Sequence, residues 1–244
     1  MRYTPLILLL FTVLVAILSW LGSVYDWGLH SLLDAEGLRW MLTHVLENLR
    51  LSPWAEVAMG LCTLSILTES GLPQVFLPRF WRKSRRSLKK LRALQVTAVC
   101  FVLFVLGILY FALVPSSPLL SALGRFSQSP LYFGLYPFIA MMLILLSVIY
   151  GYTSGRFLSF TDVVQALLYV PASIADYFLT LFMASQFVAC FHYMLAAPQP
   201  TLGQLLTDEA LPSGSLPVWA ELLLFIVVYG IPLLTSILRI YVKR

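Results

Sequence analysis

The chain has 244 residues, 60% of them hydrophobic and only 11% charged, with a formal net charge of +5 and a mean hydropathy of +0.88. A soluble globular domain cannot cover that much apolar surface with so few charged side chains. The composition excludes a water-soluble core and fits about six membrane spans of roughly 20 residues each.

In chain order, apolar runs predict spans over residues 4–24, 53–72, 94–114, 131–152, 172–196 and 218–240. All are expected to be helical, because in lipid each backbone N–H and C=O must be satisfied within its own segment. The class is therefore all-α, a polytopic helical bundle read as a single transmembrane domain over residues 1–244. Arg2 ahead of the first run raises the alternative of a signal peptide. The length of that run, Pro5, and the lack of a small-x-small cleavage site around Gly22-Ser23-Val24-Tyr25 favour a retained span. Two amphipathic lead-ins, residues 32–49 and 159–170, are expected to lie near the outer and inner interfaces.

Between the second and third spans, Arg79, Arg82, Lys83, Arg85, Arg86, Lys89, Lys90 and Arg92 form a basic run without an acid. Placing this loop in the cytoplasm puts both termini there and leaves 13 basic residues inside against Arg39, Arg50 and Arg125 outside. The run reads as a topology signal that also attracts anionic lipid headgroups. Nucleic acid is not expected as a partner, since no recognition motif accompanies the charge. Trp20, Tyr25, Trp27, Phe80, Trp81, Tyr150, Tyr152, Trp219 and Tyr241 gather near the expected interfaces.

Chemistry-bearing clusters are sparse. Cys62, Cys100 and Cys190 lack metal-ligand or redox spacing, and His30, His44 and His192 sit on different segments. Neither a cofactor nor a metal is expected, and no grouping supports an enzyme. The most polar surface is a helical stripe of Asp162, Gln165, Tyr169, Ser173, Asp176 and Thr180, with Gln186 near its edge and Pro171 interrupting it. Such a stripe either lines a substrate or ion path, with candidates Asp162, Ser173, Asp176, Thr180 and Gln186, or packs on a neighbouring helix with its polar groups bonded across. Gly151 and Gly155 stand at GxxxG spacing, but at a span end where Gly155 also suits a helix C-cap.

Residues 150–164, with Tyr150, Gly151, Gly155, Ser159, Asp162, Val163 and Val164, resemble the Y-G-x-x-x-G-x-x-x-S-D-K-D-V segment of the p-aminobenzoyl-glutamate transporter (AbgT) family. Residues 177–191, with Tyr177, Phe182, Ala184, Gln186, Phe187, Ala189 and Phe191, resemble that family's Y-I-V-L-x-F-F-A-A-Q-F-x-A-x-F. Upstream, residues 31–43 and Glu69-Ser70-Gly71-Leu72 are similar to its S-L-L-x-x-E-G-I-R-x-M-L-T and A-E-x-S-G-L.

The resemblance implies a secondary transporter in the bacterial inner membrane, coupled to sodium or protons, that moves p-aminobenzoyl-glutamate or related folate-type and sulfonamide-type acids as a homodimer. The chain looks like a shortened member. The family's re-entrant hairpin after the position of Leu72 is missing, as is the second hairpin before the last span. His192 and Tyr193 follow Phe191 where the family has N-W-S-N-L-G, and Phe160-Thr161 replace the D-K of S-D-K-D. Hairpins of this kind supply the half-helix ends that bind substrate and ion. Their loss keeps open a second reading: a non-transporting scaffold that uses the retained spans to hold a partner membrane protein.

Overall fold

The computed structural model describes residues 4–76, 88–113, 134–195 and 216–242. Ten helices run through them: α1 (Thr4–Val24), α2 (Ala35–Thr43), α3 (Val45–Leu51), α4 (Trp54–Ser70), α5 (Leu88–Leu113), α6 (Leu135–Ser154), α7 (Phe160–Ser173), α8 (Ala175–Met194), α9 (Val218–Phe225) and α10 (Ile231–Val242). A 3₁₀ turn, Leu72–Phe76, follows α4, and a π-turn, Ile226–Gly230, joins α9 to α10. Among the described residues five stretches are long and apolar enough to cross a bilayer, six if the bent pair α3 and α4 is counted as one span. The protein is thus an all-helical membrane fold.

Contacts group the chain into two compact units, Met1–Trp54 with Ile174–Arg244, and Ala55–Ser173. Both chain crossings between them coincide with helix breaks. One follows Ser52-Pro53, where Pro53 has no N–H to continue a helix; the other is at Ile174, three residues after Pro171.

The first unit is centred on α8, whose spanning stretch is 56% buried against 22% for α1. Leu8, Val15, Ser19 and Gly22 are the buried residues of α1 and form one stripe, while Leu6, Ile7, Leu10 and Phe11 are exposed, as a lipid-facing surface requires. Ala184, Ser185, Ala189 and Cys190 on α8 are small, which permits the close approach that van der Waals packing in lipid depends on. Val15, Leu32, Cys190 and Met194 form the core of the unit. The loop after α1 is fastened by Ser19, whose hydroxyl donates to the His30 carbonyl at 2.9 Å and accepts the Leu32 N–H at 2.6 Å. In the π-turn the Ile231 N–H bonds the Ile226 carbonyl. That widening precedes Pro232, which has no N–H to offer the Val228 carbonyl. The Tyr177 hydroxyl donates to the Tyr229 carbonyl at 3.1 Å and ties the turn to α8.

The second unit pairs α5 with α6 and packs α7 against α4. Ile66, Phe157, Val163 and Ala166 make one core cluster and Ala93 with Tyr150 another. Fully buried Ser65 inserts into the backbone ladder of α7. Its hydroxyl donates to the Ala166 carbonyl at 2.5 Å and accepts the Val170 N–H at 2.9 Å, standing between two groups that would otherwise bond each other. Helix α6 ends at Gly155, whose φ of +78° is left-handed, and the Arg156 N–H returns to the Gly151 carbonyl at 2.9 Å. At Gly151 the Phe157 ring occupies the space a β-carbon would need. The GxxxG spacing therefore serves a helix stop and a local packing contact.

Candidate functional site

In the second unit, the end of α4 and the start of α7 frame a cleft of about 420 Å³ lined by Glu69, Arg156, Phe157, Asp162, Gln165, Ala166 and Tyr169. Helix α4 stops at Gly71, whose φ is +77°, and the Arg156 guanidinium lies where a side chain at Gly71 would point. Arg156 Nη1 donates to the Glu69 carbonyl at 2.6 Å, giving a cation to one of the orphan acceptors of a helix C-terminus. Opposite it, Ser159 and Asp162 form a capping box for α7. The Asp162 carboxylate accepts the Leu158 and Ser159 N–H groups at 2.8 and 2.9 Å, and the Asp162 N–H reaches Ser159 Oγ at 3.3 Å. These bonds, Leu158 first and then Ser159, hold the Asp162 carboxyl below its ordinary value of 3.8. The cleft thus carries one guanidinium, two aromatic rings, a side-chain amide and two carboxylates.

The polar stripe read from the sequence divides between the units. Asp162, Gln165 and Tyr169 come together with Glu69 and Arg156 at the cleft. Exposed Ser173 closes α7 and donates to the Tyr169 carbonyl at 2.6 Å. Asp176, Thr180 and Gln186 lie on α8 in the first unit. Asp176 is exposed in the first turn of α8, and buried Thr180 donates to its carbonyl at 3.2 Å. Gln186 is engaged across helices, accepting from Asn48 Nδ2 at 3.2 Å and donating to the Val45 carbonyl at 3.0 Å, so its amide fastens α3 to α8. Of the basic run, Lys89, Lys90 and Arg92 are exposed at the start of α5, while Arg79, Arg82, Lys83, Arg85 and Arg86 lie outside the described residues.

One pairing escaped the sequence analysis. His192, in the last turn of α8, and Glu221, in the first turn of α9, meet with Nε2 at 2.9 Å from Oε1 and 3.2 Å from Oε2. Both side chains are 3% exposed. The other ring nitrogen, Nδ1, lies 2.8 Å from the Val188 carbonyl, an acceptor only, so Nδ1 carries a proton. Successive antiparallel spans place the end of one beside the start of the next. A His two residues before one end and a Glu three residues after the next start therefore share a depth, and that signal was present in the sequence. Among the described residues no three His, Cys, Asp or Glu side chains converge as metal ligands.

A sequence model of the AbgT putative transporter family matches residues 82–231. The chain belongs to this family. The AbgT match takes in α5 to α9, and with them the cleft residues Arg156 to Tyr169, all of α8, and both His192 and Glu221. Among solved structures the chain is similar to the crystal structure of the Alcanivorax borkumensis YdaH transporter, described as having an unusual topology. The two share 18% identity with a TM-score of 0.67 over 79% of this chain and 71% of that one, a likeness of fold. No curated protein matches the chain. The chain is thus an integral membrane protein of a transporter family, as the residues of α6 to α8 imply.

Proposed function

We propose that this chain is an ion-coupled secondary transporter of p-aminobenzoyl-glutamate or related folate-type and sulfonamide-type organic acids, acting in the bacterial inner membrane with both termini cytoplasmic. The observation that carries the reading is membership of the AbgT family over residues 82–231, which include the polar stripe of α7 and α8. The cleft beside Arg156 suits the substrate class: a guanidinium matches a carboxylate, and Phe157 and Tyr169 offer faces for an aromatic ring. In this reading Asp162 marks the cytoplasmic mouth, and Ser173, Asp176, Thr180 and Gln186 are the path residues. The coupling ion is sodium or a proton, and the chain works as a homodimer in contact with anionic lipid through its basic run.

The test is uptake of labelled p-aminobenzoyl-glutamate into proteoliposomes holding only this chain, under an imposed sodium or proton gradient, with empty liposomes as control. Gradient-dependent uptake that falls in Asp176→Asn and Gln186→Ala is expected. No uptake by protein shown to be folded would overturn the reading.

A second reading, a non-transporting scaffold derived from the family, is favoured by one observation: the Gln186 amide and the Thr180 hydroxyl are already bonded within the protein. It predicts a stoichiometric partner membrane protein on purification in mild detergent. A self-contained particle stabilised by p-aminobenzoyl-glutamate counts against it.

A further inference from the structure

The His192–Glu221 pair is the one buried ionisable pair described in the spanning helices, and neither the substrate reading nor the family description assigns it a role. With Nδ1 committed to the Val188 carbonyl, the gap between Nε2 and the Glu221 carboxyl is bridged by a single proton. His192 lies in the last turn of α8 and Glu221 in the first turn of α9. With the bridging proton on Nε2 the pair carries no net charge.

Removing that proton leaves two acceptors facing each other at hydrogen-bond distance in a buried site. The pair then carries one negative charge with neither partner satisfied. Bridged and unbridged states therefore differ in packing as well as in charge, which is the property a coupling site needs. Both residues lie within one turn of a helix end, a few ångström at 1.5 Å per residue.

The surroundings bring in little competing charge among the described residues. Helix α1 has no titratable side chain, and the groups on α2 and α3, namely Glu36, Arg39, Glu47 and Arg50, are exposed. His44 bonds its own helix at Trp40 and lies 3.7 Å from Glu47. Exposed His30 meets the Tyr193 ring edge-on at 6.0 Å. Helix α8 itself adds Asp176 in its first turn, at the opposite end, with Tyr177, Cys190 and Tyr193. The π-turn adds Tyr229, and α10 adds exposed Arg239.

We infer that His192 and Glu221 form an exchangeable proton-binding site and that its proton is the coupling ion, an inference resting on the transporter reading above. In the release step the Nε2–H bond breaks and the proton passes to water. Neutral His192 and the Glu221 carboxylate remain, and the net charge of the pair falls from zero to −1. Rebinding reverses each change.

Two measurements test this. In detergent micelles with ¹⁵N-labelled histidine, one imidazole signal, identified by its loss in His192→Gln, should change between imidazolium and neutral forms as pH is varied, and should be perturbed in Glu221→Gln. A His192 that keeps one protonation state throughout the range in which the protein stays folded overturns the proton site.

In proteoliposomes, Glu221→Gln retains a hydrogen bond, because its amide donates to Nε2, but it holds no exchangeable proton there. This variant should still exchange labelled for unlabelled p-aminobenzoyl-glutamate at equal pH, while accumulation driven by a proton gradient falls to the level of empty liposomes. Accumulation equal to the parent protein, or a parent protein driven by sodium alone, overturns the coupling role. A parent protein that neither exchanges nor accumulates overturns the transporter reading and the coupling role with it, and the histidine titration then reports separately on the proton site.

Discussion

The two compact units solve the same problem, polar groups within an apolar helical fold, in different ways. In the second unit several bonds between distant segments run from side chain to backbone: Ser65 to the ladder of α7, Arg156 to the Glu69 carbonyl, and the Tyr136 hydroxyl to the Glu56 carbonyl at 2.5 Å. In the first unit bonds of that kind, such as Tyr177 to the Tyr229 carbonyl, are joined by two side-chain pairs between helices, Asn48 with Gln186 and His192 with Glu221. A peptide group has a fixed protonation state, so contacts of the first kind hold helix ends and breaks in place at any pH. A pair of ionisable side chains can change its proton count, and that kind of contact is found in the unit built around α8. Where a buried polar contact ends, on backbone or on a titratable side chain, separates a structural fastening from a candidate switch.

That distinction is most sharply tested at Glu221. On the ionic pairing inferred above, Glu221→Ala leaves buried His192 without its counter-ion, and a loss of about 3–5 kcal/mol is expected in denaturant unfolding in detergent. Glu221→Gln should lose much less, because a hydrogen bond survives. Equal losses in the two variants would mean that the pair acts by packing alone.

Ser65→Ala should cost about 1–3 kcal/mol, since it orphans the Ala166 carbonyl and the Val170 N–H unless α7 straightens to join them. That cost should be the same at pH 5 and pH 8, unlike the cost of substitutions at the pair. A pH-dependent penalty at Ser65 would erase the difference between the units. Gly151→Ala, which drives a methyl group into the Phe157 ring, should cost about 1–3 kcal/mol by overpacking, read as a lower midpoint in the same unfolding assay.

A double-mutant cycle between Asn48→Ala and Gln186→Ala should return a coupling of roughly 0.6 kcal/mol, the usual size for a neutral interhelical hydrogen bond in a membrane protein.

The smallest effect belongs to Asp162. Its carboxyl is held below its ordinary value of 3.8, so its cap on α7 is fully present above that pH and is lost as pH falls through the lower, folded-state value. Amide protection at Leu158 and Ser159 should therefore persist at pH 4 and fade on further acidification. Asp162→Asn should remove that pH dependence.

The helical class, the membrane setting and the family were legible because they rest on composition, run length and local motif. Gly155 as a helix stop was equally local, as was the α7 portion of the polar stripe, whose Asp162, Gln165 and Tyr169 do line one cleft. The continuity of that stripe into Asp176 and Thr180 was not legible. A helical wheel assumes an unbroken axis, and the chain leaves the helix at Ile174, where one compact unit gives way to the other. The partners of Gln186 were not legible either, since Asn48 and Val45 on α3 lie 138 and 141 residues away.

By itself, the sequence determined the solvent, the helical class and the basic-residue asymmetry, because hydrophobic run length and charge act locally and additively. Tertiary structure alone decided which polar groups meet. Arg156 finds a carbonyl 87 residues earlier, Ser65 enters a ladder 101 to 105 residues later, and His192 meets a carboxylate 29 residues away. A polar residue in an apolar run must find a partner, and its own helix says which way it faces. The identity of that partner depends on how separate helices pack, which in lipid is set by close steric fit rather than by any pattern along one segment.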